Sequence, residues 1–400
     1  MNKKFRFLTS GESHGKCLNA IIEGVPAGFP ISTDKINHDL WRRQQGYGRG
    51  ARMKIETDKV EIKSGVRHGV STGAPICLEI KNKDYENWKT VMSTEPIELT
   101  EDTVIKLQEK SFTKLRPGHA DYAGSVKYGF IDLRNVLERS SARKTAIEVA
   151  VGSIAKQILE QFKINSCINI TQIGQAQISG KWKVESGKLF YNDKTFSIEE
   201  ISCLAEQSEV RCFDKETSER MKAEIDRAKE EGTTLGGKFE VYYTGLPVGL
   251  GSYVHYDRAI DGKIAQAVMS IPAVKAVEIG EGVNVSGVNG TETHDPFALK
   301  NGNISRTSNN AGGIEGGMTN GETLVVKGTM KAIPTMKTPL PTVDIKDMTQ
   351  SEAHFERSDT CAVPACAVVA QARIATVLVD EFLDKFGGDS LQEIRSNYER

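Results

Sequence analysis

Paired cysteines are the first thing this chain lacks. Its seven cysteines are scattered, and Cys361 and Cys366 are the nearest neighbours. No C-x-x-C occurs and no histidine spacing completes a zinc pattern, so no metal site is expected. An odd, dispersed set suits a reducing, cytoplasmic setting. Net charge is missing too. At −1 over 400 residues, bulk electrostatics argue against a nucleic-acid partner, and any anion must be met by local clustering. The opening MNKKFRFLTSGESHG has basic residues but no apolar h-region, so no signal peptide is expected. No apolar run reads as long enough to span a bilayer, so no membrane partner is expected either. Nucleotide-binding signatures are also absent. No G-x-G-x-x-G follows a strand. The run from Gly232 to Lys238 nearly fits a P-loop, but Phe239 stands where Ser or Thr would hold Mg²⁺, and a strand follows rather than a helix.

What is present is an ordinary globular composition, 38% hydrophobic and 26% charged, with ample chain for a core. Strands are predicted at Phe5–Thr9, Leu18–Glu23, Val60–Ser64, Ile76–Ile80, Ile168–Thr171, Phe239–Thr244, Val274–Ile279 and Leu324–Met330. Helices are predicted from Thr33 or Asp34 to about Trp41, and over Ser141–Phe162, Lys215–Glu231, Asp257–Ser270 and Val363–Phe386. Lys81–Lys114 reads as a polar loop region and Lys181–Asn192 as an exposed hairpin. Strands come in runs and helices singly, which favours α+β over a βαβ repeat. No linker divides the chain, so residues 1–400 read as a single domain. A similar layout of strands before the helices at 141–162 and 257–270 suggests an internal pseudo-repeat.

Chemistry concentrates in a few stretches. Arg116–Lys144 reads RPGHADYAGSVKYGFIDLRNVLERSSARK. It predicts a turn placing His119 beside Asp121, a short extended run, and an RSSAR cluster opening the strongest helix. Hydroxyls and N–H groups at a helix start, flanked by arginines, suit an anion. Gly11-Glu-Ser-His-Gly15 matches G-x-S-x-G, which would make Ser13 a hydrolase nucleophile. That elbow needs a helix after the turn, and a strand is predicted instead. A tight hairpin explains the glycines; His14 between them is poised to donate a proton to an anionic group. Arg42–Lys54 holds five basic residues and no acid. Its glycines make a pliable loop suited to closing over a small polyanion. Ser308–Gly317 is a loop where backbone approaches something closely, and Asp359 lies just before the last long helix.

Taken together, GESHG, RPGHADY, RSSAR-x-TA, NAGGIEGG, KAIPT and RSDTCAVPA, in this order, resemble the chorismate synthase family over nearly the whole length. The resemblance implies a β-α-β sandwich, a helical core between antiparallel sheets, assembled as a homotetramer. It implies a lyase that eliminates phosphate and a hydrogen in a 1,4-anti sense from 5-enolpyruvylshikimate 3-phosphate, giving chorismate with reduced FMN and no net redox change. NADPH reduction of the flavin is left open. By motif, His14 would protonate the departing phosphate. His119 would control the protonation of the reduced flavin, and Asp359 would help flavin N5 accept the C6 hydrogen. Ser13, Arg43, Arg49, Arg116 and Arg134 would bind substrate, Arg43 and Arg49 also matching NADP contacts. Arg139, Ser140, Ser141, Ala273, Gly316, Lys331, Ala332, Ile333, Pro334, Thr335 and Arg357 would hold FMN.

The chain departs from the family pattern at Pro272, often Asn; at Asn310, often His; and at Ala332, more often Pro. Pro272 gives up a side-chain amide and a backbone donor. A non-catalytic flavin or polyanion-binding protein of the same fold is the alternative, and the joint presence of His14, His119 and Asp359 weighs against it. A serine hydrolase using Ser13 is the third reading.

Overall fold

The computed structural model describes residues 4–50, 57–180, 182–185, 187–355 and 358–400. Strands Arg6–Ser10 (β1) and Cys17–Glu23 (β2) form a hairpin whose last pair is Ser10 with Asn19. Gly11 makes that turn possible. Its φ is +103°, and a Cβ there would lie 2.3 Å from the Cys17 carbonyl oxygen. Val60–Ser64 (β3) and Ile76–Lys81 (β4) complete an antiparallel sheet in the order β1-β2-β4-β3. A second antiparallel sheet is built from Asn165–Ile173 (β5), Ala176–Gln177 (β6), Gly237–Thr244 (β7), Val274–Ile279 (β8) and Leu324–Met330 (β9). Its order is β8-β9-β7-β5-β6.

Helices lie between and around the sheets. They include Thr33–Gln44 (α1), Asp121–Tyr128 (α2), Arg134–Ser140 (α3), Thr145–Glu160 (α4), Ile260–Met269 (α5) and Val363–Phe386 (α6). α4 lies against β2 and β4 on one side and α6 on the other; α6 lies against β5 and β7. The layers therefore run sheet, α4, α6, sheet, an α+β sandwich with a helical core. Helices buried all round must be apolar all round, and α4 buries nearly every residue from Thr145 to Leu159. The two central helices meet closely at Gly152, where an added Cβ would stand 2.4 Å from the Ala372 Cβ. Pro364 lies in the first turn of α6, where its missing N–H costs nothing, and Gly387 ends the helix.

Several expectations need correction. The strongest helix does not open at Ser141. Ser141 has ψ 142° and separates α3 from a 3₁₀ turn at Ala142–Lys144, after which α4 begins. The stretch after Asp121 is helical rather than extended, and Gly129 caps it at φ +70°. Lys81–Lys114 is not all loop, holding a 3₁₀ turn at Lys83–Asn87 and a helix at Glu101–Lys110. The hairpin expected near Lys181–Asn192 has a third strand, Lys194–Ser197. Finally, an apolar stretch of spanning length does exist. α6 has 24 residues and enough hydropathy, but 78% of its most apolar window is buried within the fold.

Candidate active site

The β1–β2 turn is held from outside. Asn82 Nδ2 donates to the carbonyls of Glu12 and Gly15, at 3.1 and 2.7 Å. The Ser13 N–H donates to the Glu138 carbonyl at 2.9 Å. His14, only 6% exposed, stacks on Trp88 with ring centroids 4.1 Å apart. Its Nδ1 lies 2.8 Å from Glu138 Oε1. Two acceptors would not approach so closely, so Nδ1 carries the proton and Nε2 takes the opposite ring edge. Ser141 Oγ donates to Ser13 Oγ at 3.1 Å. A strand, not a helix, follows this turn, so the hydrolase elbow is not formed.

Arg139 ties α3 to the same turn, donating to the Gly11 carbonyl and to the Thr9 carbonyl and hydroxyl, each at 2.9 Å. Arg43, at the end of α1, donates to Thr145 Oγ1 and the Ala142 carbonyl, both at 2.9 Å. Its Nη1 is buried without a hydrogen-bond partner among the described residues, the Asp58 carboxylate lying 3.8 Å away. Burial brings Arg43 down to about 10; Asp58 opposes the fall, and Arg143 and Arg49 add to it. Arg143 pairs with Asp58 at 2.7 Å and Asn82 at 2.9 Å.

A second group surrounds His119. Arg116 grips Asp121 through Nε and Nη2, at 2.7 and 2.8 Å, and His119 Nδ1 lies 2.6 Å from Asp121 Oδ1. The same Nδ1 also lies 2.9 Å from Arg116 Nη2, a group that can only donate, so the ring sits between a donor and an acceptor. Burial alone would push the Asp121 carboxyl up, but the hydrogen bonds from Arg116 and His119 prevail and hold it at about 2. Lys331 Nζ donates to the Gly118 carbonyl at 2.5 Å. A third group forms where Asp359 pairs with Arg49 at 2.7 Å and accepts the Gly50 N–H at 2.6 Å.

These groups close into a ring. Arg134 lies 5.0 Å from the ring centres of both Trp88 and Phe112, and Arg116 lies 5.2 Å from Phe112. His119 leads through Gly118 to Lys331, and so along Ala332, Ile333 and Pro334 to Thr335, whose carbonyl accepts from Ser358 at 2.8 Å. Asp359 and Arg49 act electrostatically on Arg43, which returns through Ala142 to Ser141, Ser13 and His14. Ala273 joins at the edge through its carbonyl, which accepts the Lys331 N–H at 2.9 Å. Its φ of +71° is strained for a residue with a Cβ.

Other predicted residues stand differently. Ser140 Oγ turns back to the Leu137 carbonyl at 3.4 Å. Gly316, φ +57°, lies between the short strands Ile314–Glu315 and Met318–Thr319, and among the described residues no hydrogen bond joins it to the ring. Asn310 spends its amide on the Glu292 and Thr293 carbonyls. Arg357 lies outside the described residues. Sequence reasoning missed Glu138, Trp88, Asn82 and Asp58 as site residues; only Glu138 had a local signal, an acid four residues after Arg134. A cavity of about 240 Å³ lies elsewhere, lined by Asp39, Arg42, Lys156, Glu206 and Gln371 among others. Its charges pair with one another, and none of the predicted catalytic groups reaches it.

Around the ring, Arg43, Arg49, Arg116, Arg134, Arg139 and Arg143 exceed Asp58, Asp121, Glu138 and Asp359. A near-neutral chain has gathered cations at one place, with the buried His14 and the half-buried His119 among them. The fold and site thus define an α+β enzyme acting on a small polyanion. A family model described as chorismate synthase matches residues 5–383. A chorismate synthase of Alkaliphilus metalliredigens (strain QYMF) is 49% identical over 98% of each chain. One of Brevibacillus brevis (strain 47) is 47% identical over 98% of this chain and 97% of its own. A crystal structure of chorismate synthase superposes with TM-score 0.76 at 39% identity, covering 99% of this chain and 96% of that one. The chain belongs to the chorismate synthase family. Its activity is that of a carbon–oxygen lyase of the shikimate pathway. Membership implies a reduced flavin cofactor, and the surplus of guanidinium groups, with Arg43 Nη1 buried and without a hydrogen bond among the described residues, fits its anionic phosphate.

Proposed function

We propose that this site binds 5-enolpyruvylshikimate 3-phosphate with reduced FMN and eliminates phosphate and a hydrogen in a 1,4-anti sense to give chorismate. The observation that carries the reading is the contact network, which links the imidazoles of His14 and His119, the Arg49-paired Asp359 and an excess of arginine. The substrate brings two carboxylates and a phosphate, which match that excess. Arg43, Arg49, Arg116 and Arg134 bind its anionic groups, with Ser13 beside them. His14 gives a proton from Nε2 to the departing phosphate oxygen. Asp359, aligned by Arg49 and the Gly50 N–H, assists removal of the C6 hydrogen. When bound, the reduced flavin supplies electron density while the carbon–oxygen bond breaks. His119 manages the proton of the reduced cofactor. Arg139, Ser140, Ser141, Ala273, Gly316, the Lys331–Thr335 segment and Arg357 hold the cofactor. Arg43 and Arg49 also serve as NADPH contacts, which turnover with NADPH replacing a chemical reductant checks.

Anaerobic mixing of enzyme, substrate and reduced FMN is expected to give chorismate absorbance and free phosphate, and neither without flavin. His14→Ala and Asp359→Ala are each expected to lose at least ~10²-fold in turnover. Near-normal rates in both variants would sink the assignment of roles. We further propose a cytoplasmic homotetramer of single-domain chains. Its supports are one main core running from Phe5 to Ile394 and apolar side chains left in water, Leu299 at 80% and Ile304 at 75% exposed.

A further inference from the structure

Glu138 is an acid in a basic stretch, and it is 3% exposed. We propose that Glu138 is the positioning residue of His14, a carboxylate clamp that keeps the proton on Nδ1 and turns Nε2 toward the leaving phosphate. The inference rests on reading His14 as the proton donor.

Two donors from one residue converge on this carboxylate. Oε2 accepts the His14 backbone N–H at 2.7 Å, and Oε1 accepts Nδ1–H at 2.8 Å. Only a carboxylate accepts at both ends, because an amide must present N–H₂ to one of them. The Glu138 main chain adds a third hold, its carbonyl taking the Ser13 N–H at 2.9 Å. Trp88 covers one face of the imidazole at an interplanar angle of 26°. Edge, face and backbone of His14 are therefore all set, and Nε2 has a single direction.

A purely structural role does not account for this. Arg139 already ties α3 to the turn through Thr9 and Gly11, so the helix is anchored without a buried charge. Burying a carboxylate is costly unless it is paired. Arg134 Nη1, 3.5 Å from Oε1, supplies part of that pairing, and the imidazole supplies the rest. In the transfer step the Nε2–H bond breaks and an O–H bond forms on the phosphate. The doubly protonated ring becomes neutral and keeps its Nδ1 proton, while Glu138 remains a carboxylate throughout. Its negative charge compensates the ring's positive charge before transfer, and its geometry excludes the tautomer with the proton on Nε2 afterwards.

The test uses histidine-labelled, FMN-loaded protein, in which ¹⁵N NMR reports the tautomer of each ring; the signal lost in His14→Ala identifies His14 among seven histidines. In the unsubstituted protein the neutral His14 is expected as the Nδ1–H tautomer, and finding Nε2–H there overturns the proposal even if no Glu138 variant folds. In Glu138→Gln the Nε2–H tautomer is expected to appear, with kcat down about 10²-fold and KM for substrate nearly unchanged. Glu138→Asp, which keeps the charge, is expected to recover part of that loss. A Glu138→Gln enzyme with an unaltered tautomer and near-normal kcat, beside an inactive His14→Ala, would refute the clamp alone. A fully active His14→Ala would refute the role of His14 itself, leaving the tautomer shift to decide whether the clamp exists.

Discussion

Asp121 illustrates how a single side chain links the site to stability. Held at about 2 by Arg116 and His119, it lies below the ordinary unfolded value near 3.9. Its contribution is therefore complete above about pH 4 and is lost as pH falls toward 2. Asp121→Asn is expected to lower the urea midpoint at pH 7, and to lose less than the parent between pH 5 and pH 3. Equal losses over that interval would show that the carboxylate is not tied as described. At this scale the sequence was partly legible. His14, His119 and Asp359 stand out because titratable groups in Gly- and Pro-rich turns have few packing reasons to be there. Asp121, two residues on from His119, stands out with it, but the partners of His14 do not. Glu138 meets His14 across 124 residues, and Trp88 looks like any aromatic in a polar stretch until the ring it covers is known.

Elements were legible where periodicity was strong. Strand Leu324–Met330 and helix Val363–Phe386 fall where expected. The RSSAR region misled because its propensity continues into α4, while tertiary contacts break it. Ser141 is drawn to Ser13, and the Ala142 carbonyl is taken by Arg43 and Thr145. α2 was hidden for a related reason: Gly124 weakens helical propensity, yet it is what lets α2 pass Val136, whose Cγ1 would lie 2.5 Å from an added Cβ. Contact between α4 and α6 gives an element-scale prediction. Gly152→Val would drive a branched side chain into Ala372 and is expected to destabilise the fold by about 1–3 kcal/mol. An unchanged denaturation midpoint would mean that the central helices are not packed this closely.

Across the whole molecule, the residues before β1 meet the last long helix. Asp380 near the end of α6 accepts the N–H groups of Lys4 and Phe5, at 2.7 and 2.9 Å. The ring then joins the N-terminal turn, the loop after α1, α3, the segment after β9 and the residues before α6. The proposed homotetramer is tested at this scale by light scattering, where four times the chain mass is expected and the mass of one chain would refute it. The same measurement on Leu299→Glu, which places a charge on exposed apolar surface, should show weakened assembly.

By itself the sequence determined the class of fold, most strands and long helices, and the set of motifs that point to the family, because these depend on patterns read along the chain. It also placed the acid–base candidates in polar turns. Only the tertiary structure decided where the strongest helix breaks, that His14 faces Glu138, and that the separate arginines belong to one contact network. Those outcomes depend on distances between residues far apart in the chain, and such distances exist only once two sheets have closed over α4 and α6.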